Sequence, residues 1–142
     1  MPCELCDQDG GALIWRNDAC RVVLVAEPGY HGYFRAIWNS HVREMTDLRR
    51  DQRERFMDVV FAIEATLRER MQPEKINLAS LGNLTPHLHW HVIPRFRDDP
   101  HFPGSVWSEP RRPPGRPVPA ASATELGGQV ADRLSRLENR EG

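Results

Sequence analysis

Short apolar runs rich in β-branched and aromatic residues open the chain. Residues 12–15, 20–27 and 32–38 form three such runs, and each run predicts a β-strand. Pro28 and Gly29 lie between the second and third runs, where this pair indicates a turn. The N-terminal part of the chain is therefore expected to form β-sheet.

One long segment, residues 46–71, carries apolar residues at helical spacing and predicts an α-helix. Thr46 or Asp47 can cap its first turn, and Pro73 marks its end. The apolar stripe of this helix should pack against the predicted sheet. Its members are Leu48, Phe56, Val59, Val60, Ile63, Leu67 and Met71.

Residues 75–83 and 87–96 predict two further strands around a loop of sequence GNLTP. Because side chains alternate between the two faces of a strand, the second of these strands should present two distinct sets. One face would carry His87, His89 and His91. The opposite face would carry Leu88, Trp90 and Val92, and this face is the expected seat of the long helix.

From Pro100 onward prolines become frequent and the apolar pattern fades. Such composition is typical of an extended arm or linker. Residues 123–140 place three leucines and a valine on one helical side, although a pair of glycines weakens this helix. The sequence therefore predicts one domain over residues 1–107, followed over residues 108–142 by a proline-rich arm and a short C-terminal helix.

Composition narrows the range of functions. The 142 residues include 39% hydrophobic and 27% charged residues, which suits a soluble globular domain. A net charge of −1 gives no broad positive surface for nucleic acid or an anionic membrane. No apolar run approaches membrane-spanning length, and the N-terminus lacks the apolar segment of a signal peptide. We therefore expect a cytoplasmic protein that binds neither nucleic acid nor membrane.

The cysteines suggest a site of their own. The chain has three, Cys3, Cys6 and Cys20, and an odd count argues against a disulfide framework. Cys3 and Cys6 form a C-x-x-C pair, whose spacing suits two zinc ligands, a redox pair or two free thiols. A redox pair usually follows a strand at the start of a helix, whereas this pair lies at the extreme N-terminus.

The three alternating histidines admit three interpretations. They can be structural, but each buried imidazole then needs a hydrogen-bond partner. They can ligate a metal, because neutral imidazole is a common zinc ligand. They can also act on a phosphate: one imidazole attacks phosphorus while its other nitrogen donates to a backbone carbonyl, and neighbouring histidines donate to phosphate oxygens.

The surrounding sequence favours the third interpretation. HLHWHVI at 87–93 is preceded by NLASLGN at 77–83 and followed by PRF and DDPHFPGSVW. In these motifs the sequence resembles the histidine triad (HIT) superfamily of nucleotide hydrolases and transferases, in particular its bacterial diadenosine tetraphosphate hydrolase-like branch. The resemblance covers residues 3–107. It implies an α+β fold, with a five-stranded antiparallel sheet, one long helix and a peripheral C-terminal segment, and it implies a homodimer.

The resemblance also implies roles for individual residues. His89 would attack the α-phosphate and form a nucleotidyl-histidine, and His91 would hydrogen-bond a phosphate oxygen. Cys3 and Cys6 would bind a structural zinc ion together with two histidines, His41 and His87. The substrate-binding residues would be Glu27, Asn77, Gly82 and Asn83.

Three positions depart from the family pattern. Asn83 stands where many members carry glutamine, Leu84 where some carry a serine that contacts the leaving group, and Tyr33 where several carry another histidine. The leaving-group preference of the family is therefore not carried over to this chain. After the histidine strand, Phe102 and Trp107 are aromatic residues that need a packing partner, and we expect them to reach back over a site, either that of the same chain or that of a partner subunit.

The expected activity is that of a nucleotide phosphohydrolase or nucleotidyl transferase. Its substrate would be a purine nucleotide derivative, either a dinucleoside polyphosphate such as diadenosine tetraphosphate or a nucleoside phosphoramidate. Mg²⁺ would accompany a polyphosphate substrate. Two alternatives remain open: a nucleotide-binding or partner-binding module with little turnover, and a metalloenzyme that uses the histidine row as its ligands.

Overall fold

The computed structural model describes residues 2–116 and 119–141, with side chains described as far as residue 139. No helix within these residues is long and apolar enough to cross a membrane. In chain order the elements are α1 (Glu4–Asp7), β1 (Ala12–Arg16), β2 (Cys20–Leu24), β3 (Phe34–Trp38), α2 (Arg50–Met71), β4 (Lys75–Ala79), β5 (His89–Arg95) and α3 (Ala120–Glu141).

The five strands form one sheet in the order β1-β2-β3-β5-β4, and every neighbouring pair is antiparallel. This arrangement confirms the predicted α+β fold with a five-stranded antiparallel sheet and a long helix. β5 lies between β3 and β4, so the strand that carries the histidines has a hydrogen-bonded neighbour on both sides. Side chains of three strands can therefore meet around the histidines.

One face of the sheet packs against α2, as the alternation in the sequence predicts. Trp90 and Val92 of β5 pack in the same core as Phe56, Val60 and Ile63 of α2. The next residues along β5 point the other way because side chains alternate along a strand. His89 and His91 therefore lie on the face opposite α2.

The helix predicted over residues 46–71 begins at Arg50. A short 3-10 turn, Met45–Asp47, precedes it, and the Asp47 carboxylate accepts two backbone hydrogen bonds there. Neither Thr46 nor Asp47 caps α2, which corrects the prediction, because the chain forms a separate turn before the helix starts. The C-terminal end of the helix agrees with the prediction.

The C-terminal helix α3 is 22 residues long, which is longer than the short helix predicted there. Leu126, Val130 and Leu134 are buried, and they join the core that α2 forms with the sheet. A Cβ on Gly127 would lie 2.8 Å from Cδ1 of Ile14 in β1. The glycine that weakens the helix locally thus permits close docking on β1, a tertiary contact that helix propensity does not register.

The N-terminal residues are fastened to the face of the sheet opposite α2. Leu5 of α1 packs with Val23 and Ile37 in a second, smaller core. Arg21 of β2, which is 4% exposed, donates to the Leu5 carbonyl and to two carbonyls that follow α1. These contacts hold the C-x-x-C segment close to the start of β5. Cys20 lies elsewhere, buried in the α2 core.

Candidate functional site

The three histidines differ in their position relative to β5. His89 and His91 belong to the strand, whereas His87 precedes it in a bend. All three are at most 7% exposed. His91 pairs with Arg35 of β3 on one side and with Ala79 of β4 on the other. His89 and His91 therefore lie over the interior of the sheet and not at its edge.

His87 faces the N-terminal segment. Its Nε2 lies 2.6 Å from the carbonyl oxygen of Trp38, and we assign the proton to Nε2, which leaves a lone pair on Nδ1. That Nδ1 lies 3.4 Å from Sγ of Cys3, 3.5 Å from Sγ of Cys6 and 3.3 Å from Nδ1 of His41. Burial lowers the pKa of His87, which favours the neutral imidazole that metal binding requires.

Cys3, Cys6, His41 and His87 form one cluster whose ligand atoms all lie within 4.8 Å of one another. Tetrahedral zinc, with bonds of about 2.3 Å to sulfur and about 2.05 Å to nitrogen, places two nitrogens about 3.3 Å apart and a nitrogen and a sulfur about 3.5 Å apart. The nitrogen pair here is 3.3 Å apart, and the sulfur–nitrogen distances are 3.4 and 3.5 Å. The donors and their spacing fit a closed four-ligand zinc site.

His89 and His91 are not part of this cluster. Within residues 2–116 and 119–141, the metal-type grouping includes His87 but neither of the other two histidines. The interpretation of the whole row as one metal site therefore finds no support in the geometry. The row instead divides between a cluster at its first histidine and an adjacent pair of imidazoles formed by the other two.

His89 has one ring nitrogen engaged and one available. Its Nδ1 lies 2.6 Å from the carbonyl oxygen of His87, and a proton on Nδ1 leaves a lone pair on Nε2. Burial lowers the pKa of His89, the hydrogen bond to His87 opposes this shift, and the positive charge of Arg35 adds to it. The net lowering favours neutral imidazole, which is the nucleophilic form.

His91 lies beside His89, with the ring centroids 4.9 Å apart. Its Nδ1 lies 2.9 Å from the hydroxyl oxygen of Tyr33. We assign the hydroxyl as the donor, which places the proton of His91 on Nε2. Burial, with the nearby His89 and Arg35, lowers the pKa of His91 to about 3. His91 is therefore neutral at physiological pH and can donate one hydrogen bond to a ligand oxygen.

Tyr33 is absent from the predicted site residues, yet it is the hydrogen-bond partner of His91. It is 3% exposed, and burial raises the pKa of its hydroxyl, so the donor proton is retained. A signal was present in the sequence, because residues 33, 35 and 37 alternate onto one face of the predicted strand. That spacing alone does not specify which residue of the neighbouring strand Tyr33 meets.

The segment after β5 folds back so that Trp107 lies next to His91. The Trp107 ring lies 5.0 Å from that of His91, at an interplanar angle of 74°, and 51% of Trp107 is exposed. Arg95 anchors the arm, because it donates to both carboxylate oxygens of Asp99 and to the carbonyl of Gly104. The expected return of Trp107 is thus confirmed within a single chain, while Phe102 lies against Arg95.

Arg95 and Asp99 form a buried ion pair, each side chain 3% exposed, that the sequence motifs did not single out. Burial by itself raises the pKa of Asp99, but hydrogen bonds from Arg95 and from three backbone amides outweigh it and lower the pKa to about 2. Arg95 also donates to Oδ1 of Asn77 at 2.8 Å. The pair therefore connects the arm, β5 and β4.

The predicted substrate-binding residues lie on three different elements. Asn77 is in β4, and because its Oδ1 accepts from Arg95, its Nδ2 remains as a donor. Gly82 has a φ of 84°, which favours glycine, and it lies with the exposed Asn83 in the β4–β5 loop. Among the described residues, no hydrogen bond joins either of them to the histidines. Glu27, exposed in the β2–β3 loop, lines a cavity of about 590 Å³ together with Gly115 and Arg116 of the proline-rich arm.

Comparisons with known proteins bear on the fold and the family. A family model described as HIT domain matches residues 8–98. A search of curated proteins finds no match. Among solved structures, a histidine triad protein from Marinobacter aquaeolei VT8 is 25% identical; the alignment covers 96% of this chain and 97% of that one, with a TM-score of 0.75.

Two further solved structures are less similar in sequence and show the fold alone. A histidine triad protein from Sinorhizobium meliloti 1021 is 22% identical, with coverage of 94% and 96% and a TM-score of 0.75. A zinc-bound histidine triad family protein from Mycobacterium smegmatis is also 22% identical, with coverage of 99% and 98% and a TM-score of 0.61. The fold therefore recurs over nearly the whole length of these proteins.

Proposed function

Because the chain belongs to the HIT domain family, we propose that it is a nucleotide hydrolase or nucleotidyl transferase in which His89 is the nucleophile. The observation that supports this most directly is the 2.6 Å contact between Nδ1 of His89 and the carbonyl oxygen of His87. That hydrogen bond holds the ring in one tautomer and leaves the Nε2 lone pair for attack. His91 supplies a donor beside it.

The proposed reaction consists of two displacements. Nε2 of His89 bonds to the α-phosphorus, and the bond from phosphorus to the leaving group breaks as that group takes the electron pair and, where it is an amine, a proton from solvent. Water then attacks phosphorus and gives up a proton to solvent, the phosphorus–nitrogen bond breaks, and the nucleoside monophosphate departs from a neutral imidazole. Another acceptor in place of water makes the reaction a transfer. In both steps Nε2–H of His91 donates to a phosphate oxygen.

The proposed substrate is a purine nucleotide derivative such as diadenosine tetraphosphate or an adenosine phosphoramidate. Asn77 would donate to a phosphate oxygen through Nδ2, because its Oδ1 already accepts from a protein donor. Gly82 and Asn83 would offer a backbone and a side-chain donor from the β4–β5 loop, and Glu27 would accept from the ribose hydroxyls. Trp107, half-exposed beside the ring of His91, would flank the leaving group.

We also propose that Cys3, Cys6, His41 and His87 bind a structural zinc ion. The interatomic distances suit tetrahedral zinc, and the Mycobacterium smegmatis relative is described as zinc-bound. When bound, zinc would tie α1 to the strands. Mg²⁺ stays a prediction, expected only with a polyphosphate substrate. The homodimer likewise stays a prediction, which the molecular mass in solution would test.

The test of the catalytic proposal uses diadenosine tetraphosphate and an adenosine phosphoramidate. The wild-type protein should release AMP and form an acid-labile adduct, and His89→Ala should do neither. Arg97→Gln is the control, because Arg97 is exposed and paired with Glu74. Release by the wild type that is no faster than by His89→Ala, with both compounds, would exclude catalysis on these substrates.

The second candidate is a nucleotide-binding or partner-binding module with little turnover. Leu84 favours it, because this residue is 96% exposed and has no side-chain donor for a leaving group. The same assay separates the two candidates. A binding module binds AMP but releases none from either substrate, whereas an enzyme releases AMP from at least one of them.

A further inference from the structure

Three arginines project from the face of the sheet that carries His89 and His91. The strand register places Arg21 beside Ile37 and Arg35 beside His91, while Arg95 shares the parity of His91 along β5. They differ in how completely the protein uses their hydrogen-bond donors. That difference indicates which of them remains available to a ligand.

Arg21 and Arg95 are committed to protein partners. Arg21 donates to three backbone carbonyls around α1 and to Oδ1 of Asn39. Arg95 donates twice to Asp99, once to Asn77 and once to a backbone carbonyl. Both side chains use most of their donors in hydrogen bonds within the protein, so few donors remain for a substrate.

Arg35 is held differently. Its Nη1 donates to the carbonyl of Gly10 at 3.0 Å, but its Nε is buried and has no hydrogen-bond partner among the residues the structure describes. Within those residues it forms no ion pair, whereas Arg95 is paired with Asp99. A guanidinium carries five N–H donors, and a buried donor without a partner is unfavourable. Arg35 therefore has both charge and hydrogen-bonding capacity left over.

The position of Arg35 brings that capacity beside His91. Directly opposed residues on antiparallel strands have Cβ atoms about 5 Å apart, so Arg35 and His91 are side by side. The charge of Arg35 reaches both His89 and His91, since it contributes to the lowered pKa of each. Its other neighbours on this face are the apolar Val23 and Ile37 and the hydroxyl of Tyr33, where Arg35 partly offsets the rise in pKa that burial causes. The two histidines are neutral, so Arg35 supplies the positive charge beside them.

We propose that Arg35 binds the nonbridging oxygens of the phosphate group held between His89 and His91, which makes the site selective for anionic ligands. The inference rests on the proposed function, because it assumes that a phosphate binds at these histidines. In the conformation described, Nε is closed off from solvent. Binding therefore requires the guanidinium to shift toward the phosphate, where the unpartnered N–H gains an acceptor. Arg35 is thus a specificity-determining residue.

The test compares AMP with adenosine, which lacks the phosphate, by calorimetric titration of the wild type, Arg35→Gln and Arg35→Lys. Arg35→Gln should weaken AMP binding about tenfold or more, because hydrogen bonds between charged groups are the strong ones. Adenosine binding should not change, and Arg35→Lys should be intermediate because it keeps the charge but loses the fork geometry. Arg97→Gln is the matched control, since Arg97 is exposed and paired with Glu74.

Equal losses for AMP and adenosine, or no loss for AMP, would overturn the role of Arg35. The Nε–H resonance of Arg35 in the wild type provides a measurement that needs no stable variant, and it should shift on addition of AMP but not of adenosine. Failure of the proposed function looks different: the wild type would release no AMP from either substrate, yet its AMP affinity would still depend on Arg35. A wild type that neither binds nor releases AMP contradicts both.

Discussion

His87 and His89 are two residues apart and both buried, but they expose opposite ring nitrogens. In His87, Nε2 bonds to the Trp38 carbonyl and Nδ1 faces two sulfurs and another imidazole. In His89, Nδ1 bonds to a carbonyl and Nε2 is left over. The backbone carbonyl next to each ring, and not the residue type, therefore decides which ring nitrogen is available to a ligand.

The two regions, the cysteine–histidine cluster and the His89–His91 pair, are also linked. The carbonyl that orients His89 belongs to His87, the residue whose ring is part of the cysteine–histidine cluster. An ion in that cluster would hold the His87 side chain, and the same residue would then hold the ring of His89. This is the arrangement in which a partner outside the reacting centre fixes the orientation of a reacting group. We therefore expect mutations in the cluster to affect mainly metal binding and stability, and mutations in the His89–His91 pair to affect mainly activity, with a smaller effect of the cluster on activity.

The largest expected effect is a loss of activity confined to one end of the row. His89→Ala should lower AMP release at least ~10³-fold, because removal of a nucleophile leaves only binding and electrostatic contributions. His87→Ala should instead release the metal and lower the melting temperature. AMP release, metal content and thermal unfolding, measured on both variants, test the separation. If His89→Ala loses its metal, or if both variants unfold alike, the two regions are not distinct.

The second effect is the loss of stability when the cluster is dismantled. Cys3→Ser combined with Cys6→Ser should abolish metal binding and lower the free energy of unfolding by about 3 kcal/mol or more, as expected for a lost structural metal. The turnover number should also fall about tenfold, because the support of His87 is weakened. Elemental analysis and denaturant titration provide the measurements. Cys20→Ala is the control, since Cys20 is buried outside the cluster and should leave metal content intact; unchanged metal in the double variant contradicts the zinc proposal.

The placement of the histidines is largely predictable from the sequence, because it depends on the alternation of side chains along a strand and on motifs. The strand pattern places His89 and His91 on one face with Trp90 on the other, and the structure agrees. The grouping of His41 with Cys3 came from family resemblance alone. No spacing in the sequence brings together residues that lie on separate segments.

The parts that could not be predicted depend on which side chains meet across strands. The contact of Tyr33 with His91 requires the register of β3 on β5, and a period of two fixes only the face and not the partner. The docking of α3 through Gly127 is likewise a tertiary contact that overrides local propensity. The unpartnered Nε of Arg35 is visible only once every neighbouring acceptor has been located.

The third effect concerns pH and the catalytic end of the row. The folded state holds the pKa of His91 near 3, against about 6.5 in the unfolded chain, so between these values the unfolded state binds more protons. The contribution of neutral His91 to stability is therefore complete above pH 6.5 and declines as the pH falls, by about 1.4 kcal/mol per unit. Between pH 6.5 and pH 5, wild type should lose about 1.6 kcal/mol more than His91→Gln in denaturant titrations.

The metal cluster does not confound this difference, because its four residues are the same in both proteins and its proton uptake cancels. Equal pH dependence in the two proteins would show that His91 is not held neutral by the fold. Burial would then not keep the catalytic end of the row uncharged, although the hydrogen-bond geometry of His89 would be unaffected.

The smallest effect tests whether a hydrogen bond also orients the second catalytic histidine. Tyr33→Phe removes the hydroxyl that lies 2.9 Å from Nδ1 of His91 and leaves the ring in place. Without that donor the His91 proton can occupy either nitrogen, so we expect the turnover number to fall about tenfold, the effect of one lost hydrogen bond of about 1.4 kcal/mol. The Michaelis constant for diadenosine tetraphosphate should change little. Tyr30→Phe is the control, because the Tyr30 hydroxyl contacts His101 at 2.7 Å and Asp99 at 3.4 Å, and none of the three histidines of the row. If the two phenylalanine variants behave alike, the tautomer of His91 is set by the ligand itself, and only His89 is oriented in advance.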